Sequence, residues 1–402
     1  MRIALLPDDY LPSSTLVHAK MFHELAHEFM KQGHDVVVIT PGSNNQKKKL
    51  IIEIVEQVIV WRFRAGPRRG VGKFQRALNE SLLSFNAWGA IKSEVNKAPF
   101  DLCVNYSPTI FFGWLTSKLK KKYNTYIYLV LRDLFPQWVI DEGMIKESSL
   151  IAKYFRYFEH FNYKASNTIG LMSKANIDYF SSANPQYKNT EVLLNWASTT
   201  APDFNNYSID IRKKYNLTNK IIFFYGGNIG HAQDMSNLLR LANNLKNYLK
   251  AHFLFIGQGD EFELIKTLKI DLKLDNVTIL PSISQAQYKE VLSQVDIGLF
   301  SLAKTHKAHN FPGKLLGYMV HSLPILGSVN AGNDLINFIS DSESGYAFIN
   351  GKDQLLSNAA VELLSDATLR KLMGQNSYGL LKDKFSVEQA ARQIISKIGE
   401  LH

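Results

Sequence analysis

The chain has 402 residues, 46% of them apolar and 20% charged, with a formal net charge of +10. That length predicts two or three domains, and that composition predicts a globular protein with ample material for large cores. The single cysteine, Cys103, excludes an internal disulfide and any zinc site built on two or more cysteines. It lies in the apolar run Leu102-Cys103-Val104 and reads as a buried thiol in a reducing compartment. The histidines show no ligand spacing, so no structural metal is expected. The segment Met1 to Asp9 has too short an apolar core for a signal peptide and ends in acid. No run reaches the length of a membrane span. The positive charge needs an anionic partner, and nucleic acid, anionic lipid and anionic substrate compete for that role.

The chain opens as strand, loop, helix, strand. Ile3 to Leu6 is a short buried strand, and Asp8 to Ser14 is a polar loop with helix-start residues. Val17, Met21, Leu25 and Phe29 recur every fourth position, which predicts one apolar helical face. Gly33 ends that helix and Val36 to Thr40 is the next strand. A parallel βαβ start points to a doubly wound sheet. Ser13-Ser14-Thr15 stands where a dinucleotide glycine fingerprint would be, which disfavours a nicotinamide cofactor.

Residues 44–76 are rich in base. Arg62, Arg64, Arg68, Arg69, Lys73 and Arg76 alternate with Trp61, Phe63, Phe74 and several glycines. This mixture suits an anionic membrane surface or a polyanion, or else a solvated loop. Lys118, Lys120, Lys121 and Lys122 add a second basic cluster. Strands follow at Leu102 to Val104 and at Tyr126 to Leu131. The latter runs into Arg132-Asp133, placing a charged pair at the carboxyl edge of a parallel sheet, where such folds bind ligands. Asp133 is thus a candidate for contacting a bound ligand; its plainer roles are a helix cap or a partner of Arg132. Tyr154 to Ala165 is an aromatic-rich helix, explained mostly by core packing, with a shallow membrane contact as the alternative. Thr168 to Leu171 and Val192 to Leu194 close this half, and the polar stretch from Asn195 to about Asn216 is the expected connection.

The second half restarts the same architecture. Ile221 to Tyr225 is a strand leading into Gly226-Gly227-Asn228-Ile229-Gly230-His231, with a helix expected from about Gln233 to Leu249. Phe253 to Ile256 runs into Gly257-Gln258-Gly259-Asp260-Glu261. Glycines let backbone approach a phosphate, and a following helix end supplies N–H donors. Two such turns at successive strands point to a nucleotide. Val277 to Leu280, Ile297 to Phe300 and Ile325-Leu326 continue the sheet. After Ile297 to Phe300 comes His309-Asn310-Phe311-Pro312-Gly313-Lys314, preceded by Lys304, His306 and Lys307. Pro312 suits the first turn of a helix, whose N–H groups and the Lys314 ammonium would face an anion. The bland reading is a surface loop with a solvated lysine. Gly332-Asn333-Asp334-Leu335 offers Asn333 and Asp334 to sugar hydroxyls, or is a plain turn. Leu355 to Met373 and Val387 to Leu401 are amphipathic helices.

Nearly end to end, the two doubly wound halves, the 226–230 loop, the Ile256-Gly257-Gln258-Gly259 turn and the 309–327 stretch resemble retaining glycosyltransferases of family 4. That resemblance implies the α/β GT-B fold, two Rossmann-like doubly wound domains facing a central cleft. The expected division is 1–197 for the acceptor, 198–380 for the nucleotide sugar, and a C-terminal helix in 381–402 returning to the first domain. Gly227-Asn228-Ile229-Gly230 with Gln233, Phe311-Pro312-Gly313-Lys314 and Gly332-Asn333-Asp334-Leu335 look closest to bacterial L-fucosaminyltransferases of O-antigen or capsule synthesis. Departures are visible. The family's two glutamates correspond to His309 and Gly317, and its Arg and Lys around the first glycine loop are replaced by Asn228, Gln233 and Asp234. A histidine common in the N-terminal half is replaced by Asn105, Tyr106 or Ser107.

The resemblance implies transfer of a sugar, N-acetyl-L-fucosamine for this subgroup, from a UDP-sugar to a polyprenyl-diphosphate-linked saccharide at the inner face of the cell membrane. It implies no cofactor and no metal, the UDP-sugar being a substrate. Lys314, Asp133 and Asp9 are the catalytic candidates. Donor contacts fall to Gly227, Asn228, Gly230, His231, Gln233, Gly257, Gly259, His309, Phe311, Pro312, Gly313, Asn333 and Asp334. Arg64, Arg68, Arg69, Lys73 and Arg132 are the acceptor and membrane candidates. Rival readings are a nucleotide-sugar epimerase on the same scaffold, a non-catalytic glycan-binding protein suggested by Gly317, and a nucleic-acid binder suggested by charge alone. The two glycine turns and the lack of a nucleic-acid reading motif count against the last.

Overall fold

The structure, a computed structural model, describes every residue except 15, 69, 142, 201–207, 306–310 and 400–402. The chain divides into two compact units, Met1–Leu194 with Ala390–His402, and Asn195–Gln389. Each is built on a largely parallel sheet whose inner strands are apolar runs buried on both faces.

The first unit carries eight strands: β1 (Arg2–Leu6), β2 (Asp35–Pro41), β3 (Leu50–Val55), β4 (Val58–Phe63), β5 (Leu102–Ser107), β6 (Tyr126–Leu131), β7 (Thr168–Leu171) and β8 (Thr190–Val192). Their order in space is β3-β4-β2-β1-β5-β6-β7-β8. All neighbours are parallel except β3, which pairs antiparallel with β4 at the edge. An edge strand needs only one buried face, which is why Ile52 and Ile54 of β3 lie exposed. The helix Val17–Lys31 buries Phe22, Leu25, Ala26 and Phe29, but Val17, first of the expected apolar stripe, is exposed. The strand expected at Val192 to Leu194 lies at Thr190–Val192 instead.

The second unit carries β9 (Ile221–Asn228), β10 (Ala251–Gln258), β11 (Val277–Pro281), β12 (Ile297–Ser301), β13 (Ile325–Val329) and β14 (Gly345–Ile349). Their order is β11-β10-β9-β12-β13-β14, all parallel. The Phe223 ring stacks on Phe253 at 4.8 Å inside a core that spans β9, β10 and β12. Two expectations shift here. Strand β9 runs through the glycine loop, paired with β10 as far as Asn228 and Gln258, so the following helix is only Met235–Asn244. The single helix expected from Leu355 to Met373 is two, Asp353–Ser365 and Ala367–Leu380. Asp366 divides them, its carboxylate accepting from the Leu369 N–H at 2.9 Å as an N-cap.

In both sheets the chain direction of winding reverses once, between β1 and β5 and between β9 and β12. Open α/β sheets bind ligands outside the carboxyl ends of the strands at such switch points. The last helix, Val387–Gly399, leaves the second unit and ends in the first, where Gln393 donates to the Val192 carbonyl at 2.7 Å and Lys397 lies 3.3 Å from Glu191.

Candidate functional site

At the switch point of the second unit, β9 ends in Gly226-Gly227-Asn228. Gly227 has φ +125° and lies exposed, a conformation that favours glycine. Beneath it comes Lys314, the first residue of the short helix Lys314–Val320 after β12. Its ammonium sits 3.3 Å from the centroid of the Tyr225 ring, a cation–π contact. A Cβ on Gly227 would stand 3.7 Å from the same nitrogen. Among the described residues no carboxylate pairs with it, and burial pushes its pKa well below the ordinary lysine value. Buried positive charge lacking a counter-ion is costly, so an anion arriving at this strand end would be bound with a large electrostatic gain.

Backbone packing constrains the glycines around it. A Cβ on Gly257 would stand 1.9 Å from the Gly227 carbonyl oxygen, and one on Gly259 2.1 Å from that of Ile229. Close backbone packing between β9, the Ile229 turn and the end of β10 therefore requires glycine at 257 and 259, and these two residues shape the ledge. At Gly230 a Cβ would strike Asp260, Asn228 and Gln233 side chains together. The Asn228 amide donates to Gln233 at 2.6 Å, so these two residues brace the loop. His231 is exposed, its Nδ1 3.4 Å from a Glu261 carboxylate oxygen. Asp234, standing at a position where the resembled family carries a base, takes a left-handed φ of +44°. It accepts from the Asn350 amide at 2.9 Å, which ties the turn to the end of β14.

Phe311 points away from solvent, its ring 4.5 Å from that of Phe385 and 6.4 Å from that of Phe338. It anchors the segment that delivers Lys314. The helix expected from Pro312 begins at Lys314, with Gly313 as its cap and the Leu315 N–H donating to the Pro312 carbonyl at 3.0 Å. Asn333 is buried, its side chain accepting from the Leu335 N–H at 3.0 Å and donating to Asn330 at 3.1 Å, while Asp334 occupies the N-cap position of the helix Leu335–Asp341. That is the geometry of a turn. His309, with His306 and Lys307, lies outside the described residues.

At the switch point of the first unit, Asp8 and Asp9 follow β1. The Asp9 carboxylate accepts from the Tyr10 N–H and the Ser14 hydroxyl, both at 3.0 Å. Asp8 lies 3.1 Å from His18 Nε2, and Arg68 donates to the Asp8 carbonyl at 2.7 Å. Burial pushes the Asp8 carboxyl up, but His18 and Arg68 together outweigh it and hold it below its ordinary value. His18 stacks on Tyr106 at 4.7 Å. Asp133 is exposed, although crowding by neighbouring protein strips enough solvation to raise its pKa against the opposing fields of Arg132 and His18. His18 was missed in the sequence reading. The signal was there: a histidine in the first turn of the helix that follows β1.

The basic candidates scatter. Arg132, expected at the acceptor or membrane, is instead buried and donates to the Leu193 and Leu194 carbonyls at 2.8 and 3.1 Å. Burial lowers its pKa to about 10. Arg68 faces the Asp8 loop, Arg64 is exposed and donates to the Lys47 carbonyl at 3.3 Å, Arg69 lies outside the described residues, and Lys73 opens the helix Lys73–Ser81. Along this helix and the next, Phe74, Leu78, Leu82 and Phe85 are exposed. Ser81 hydrogen-bonds Tyr154, beside exposed Leu150, Ile151 and Tyr157. Among the described residues no helix is long and apolar enough to cross a membrane.

Residues 208–380 match the family model described as Glycosyl transferases group 1. The chain is 22% identical over 222 residues to the probable glycosyltransferase WbjE of Pseudomonas aeruginosa. The match covers 54% of each protein, so it spans about half the length of that curated relative. Among solved structures, sucrose-phosphate synthase from Thermosynechococcus elongatus is similar at 16% identity and TM-score 0.69, over 100% of this chain and 98% of that one. WaaG, a glycosyltransferase involved in lipopolysaccharide biosynthesis, is similar at 15% identity and TM-score 0.63, over 98% and 99%. Anabaena HepE in complex with UDP gives 14% and 0.65 over the whole of both chains. These likenesses show the fold, which is GT-B.

Proposed function

We propose that this GT-B chain, whose residues 208–380 match the glycosyl transferases group 1 model, is a member of that family and transfers a sugar from a nucleoside-diphosphate sugar to a hydroxyl of a lipid-linked saccharide. The observation that carries the reading is Lys314, a half-buried residue whose desolvated ammonium lies against the Tyr225 ring beneath an exposed glycine at the switch point of the second sheet, with no carboxylate partner among the described residues. The UDP complex of the Anabaena relative supports a uridine donor.

In the reaction the bond between the sugar C1 and the β-phosphate oxygen breaks, and a bond from C1 to the acceptor oxygen forms on the same face. The acceptor proton passes to the departing phosphate oxygen. Negative charge grows on the diphosphate as it leaves, and Lys314 with the backbone N–H groups at the ends of β9 and β12 stabilises it there. In the first unit, Asp9 and Asp133 are assigned to acceptor or sugar hydroxyls, with His18 and Asp8 shaping that edge. The resemblance of the 227–230, 311–314 and 332–335 segments to L-fucosaminyltransferases supports N-acetyl-L-fucosamine as the sugar and surface polysaccharide as the product. Exposed Phe74, Leu78, Leu82 and Phe85, with the Lys118 to Lys122 cluster, support docking on an anionic membrane face.

Calorimetry with UDP, GDP, ADP and TDP tests the reading. Selective UDP binding is expected. Because the diphosphate favours charged Lys314, binding should take up a proton at a pH above the depressed pKa of the free protein and below the higher pKa of the complex. The heat should then vary with the ionisation enthalpy of the buffer, and Lys314→Met should remove that variation. No nucleotide binding at all would overturn the transferase and favour a glycan-binding protein.

A further inference from the structure

We propose that His23, His27 and Glu56 form a binding site for one divalent transition-metal ion, zinc by its ligand chemistry, which clips the first long helix to the β3–β4 hairpin. The two histidines are four residues apart on the helix Val17–Lys31 and so share one face, contrary to the expectation that no histidines show ligand spacing. Glu56 meets them from the hairpin corner, where it and Gln57 hold φ values of +46° and +73°. Such corners favour Asn, Asp or Gly, yet a glutamate occupies this one.

The ligating atoms converge. His23 Nε2 lies 3.0 Å from Glu56 Oε2 and 3.2 Å from His27 Nε2, and all three lie within 4.8 Å of one another. With zinc–ligand bonds of 2.0–2.1 Å, the edge of a coordination tetrahedron is about 3.3 Å. Proton bookkeeping points the same way. Without an ion, the Glu56 carboxylate and the His27 nitrogen compete for one N–H on His23. With an ion, all three present lone pairs to a single point. His23 then carries its proton on Nδ1, which lies 2.7 Å from the buried Tyr10 hydroxyl. A ring N–H held by a neighbouring oxygen is the usual support for a metal-bound imidazole. Glu56 is exposed and His27 half-buried, which leaves an entry path and room for water as fourth ligand. Two imidazoles and one carboxylate suit zinc and its neighbours rather than magnesium or calcium.

The test uses the full chain, free of any affinity tag, stripped with chelator and then titrated with zinc against a chromophoric competitor. One ion per chain is expected, with a rise in Tm that magnesium does not reproduce. Cobalt should give the intense visible bands of a tetrahedral site. Glu56→Gln, at an exposed position that leaves folding intact, and His27→Gln should each weaken zinc binding at least tenfold. No stoichiometric binding by the unaltered chain, equal affinity in both variants, or an equal rise in Tm with magnesium would overturn the proposal. None of these readouts depends on transferase activity.

Discussion

The two sheet edges solve their electrostatics in opposite ways. At the end of β1 the carboxylates have polar partners: Asp8 lies against His18, with Arg68 on its main-chain carbonyl, and Asp9 accepts from Ser14 and the Tyr10 N–H. At the end of β9 an ammonium rests on the Tyr225 ring with no carboxylate beside it among the described residues. A matched edge gains little from an incoming ion but offers hydrogen bonds to neutral hydroxyls. An unmatched cation gains most from an anion. The contrast supports the proposed division, with the diphosphate at the second unit and sugar or acceptor hydroxyls at the first.

The sharpest way to break this contrast is Lys314→Ala. Turnover should fall by about 10²–10³-fold, the range for losing one preorganised charge at a developing anion. Steady-state kinetics showing unchanged turnover would leave the β9 edge without its assigned role. Next in size is Gly257→Ala, whose added carbon would stand 1.9 Å from the Gly227 carbonyl. Overpacking of this kind costs about 1–3 kcal/mol, read as a lower urea midpoint, and should also weaken UDP binding as the ledge moves. A stable variant that binds UDP normally would show that the ledge is not set by this contact.

His18→Ala probes the matched edge. The lowered carboxyl pKa of Asp8 contributes stability that is full above its ordinary 3.8 and is lost as pH falls through the lowered value. Without His18, burial dominates and the pKa rises, so acid unfolding should begin at a higher pH. The expected cost near neutrality is about 1–2 kcal/mol. An unmoved acid midpoint would mean that Asp8 is not balanced by His18. The smallest effect on the fold belongs to Leu78→Asp. Its stability should stay within about 0.5 kcal/mol of the parent, because the side chain is already exposed, while sedimentation with anionic vesicles should drop. Vesicle binding that is unaffected would remove the helix stripe from the membrane face.

Two doubly wound units were legible in the sequence because buried parallel strands are continuous apolar runs, as at Ile3 to Leu6 and Ile221 to Tyr225, and because turn chemistry separates them. Lys314 was legible for a related reason: Pro312 and Gly313 mark a helix start directly after a buried strand. Periodicity and turn residues are local, and local sequence carries them. What the tertiary structure decided was which neighbour each side chain meets. It turned Arg132 inward onto two carbonyls, held the Asn333 side chain in a local turn, and packed Gly257 and Gly259 against neighbouring backbone. It also brought Glu56 to His23 and His27 across 33 residues of chain, and His18 to Tyr106. Long-range contacts of this kind depend on strand order and helix rotation, which no single segment encodes.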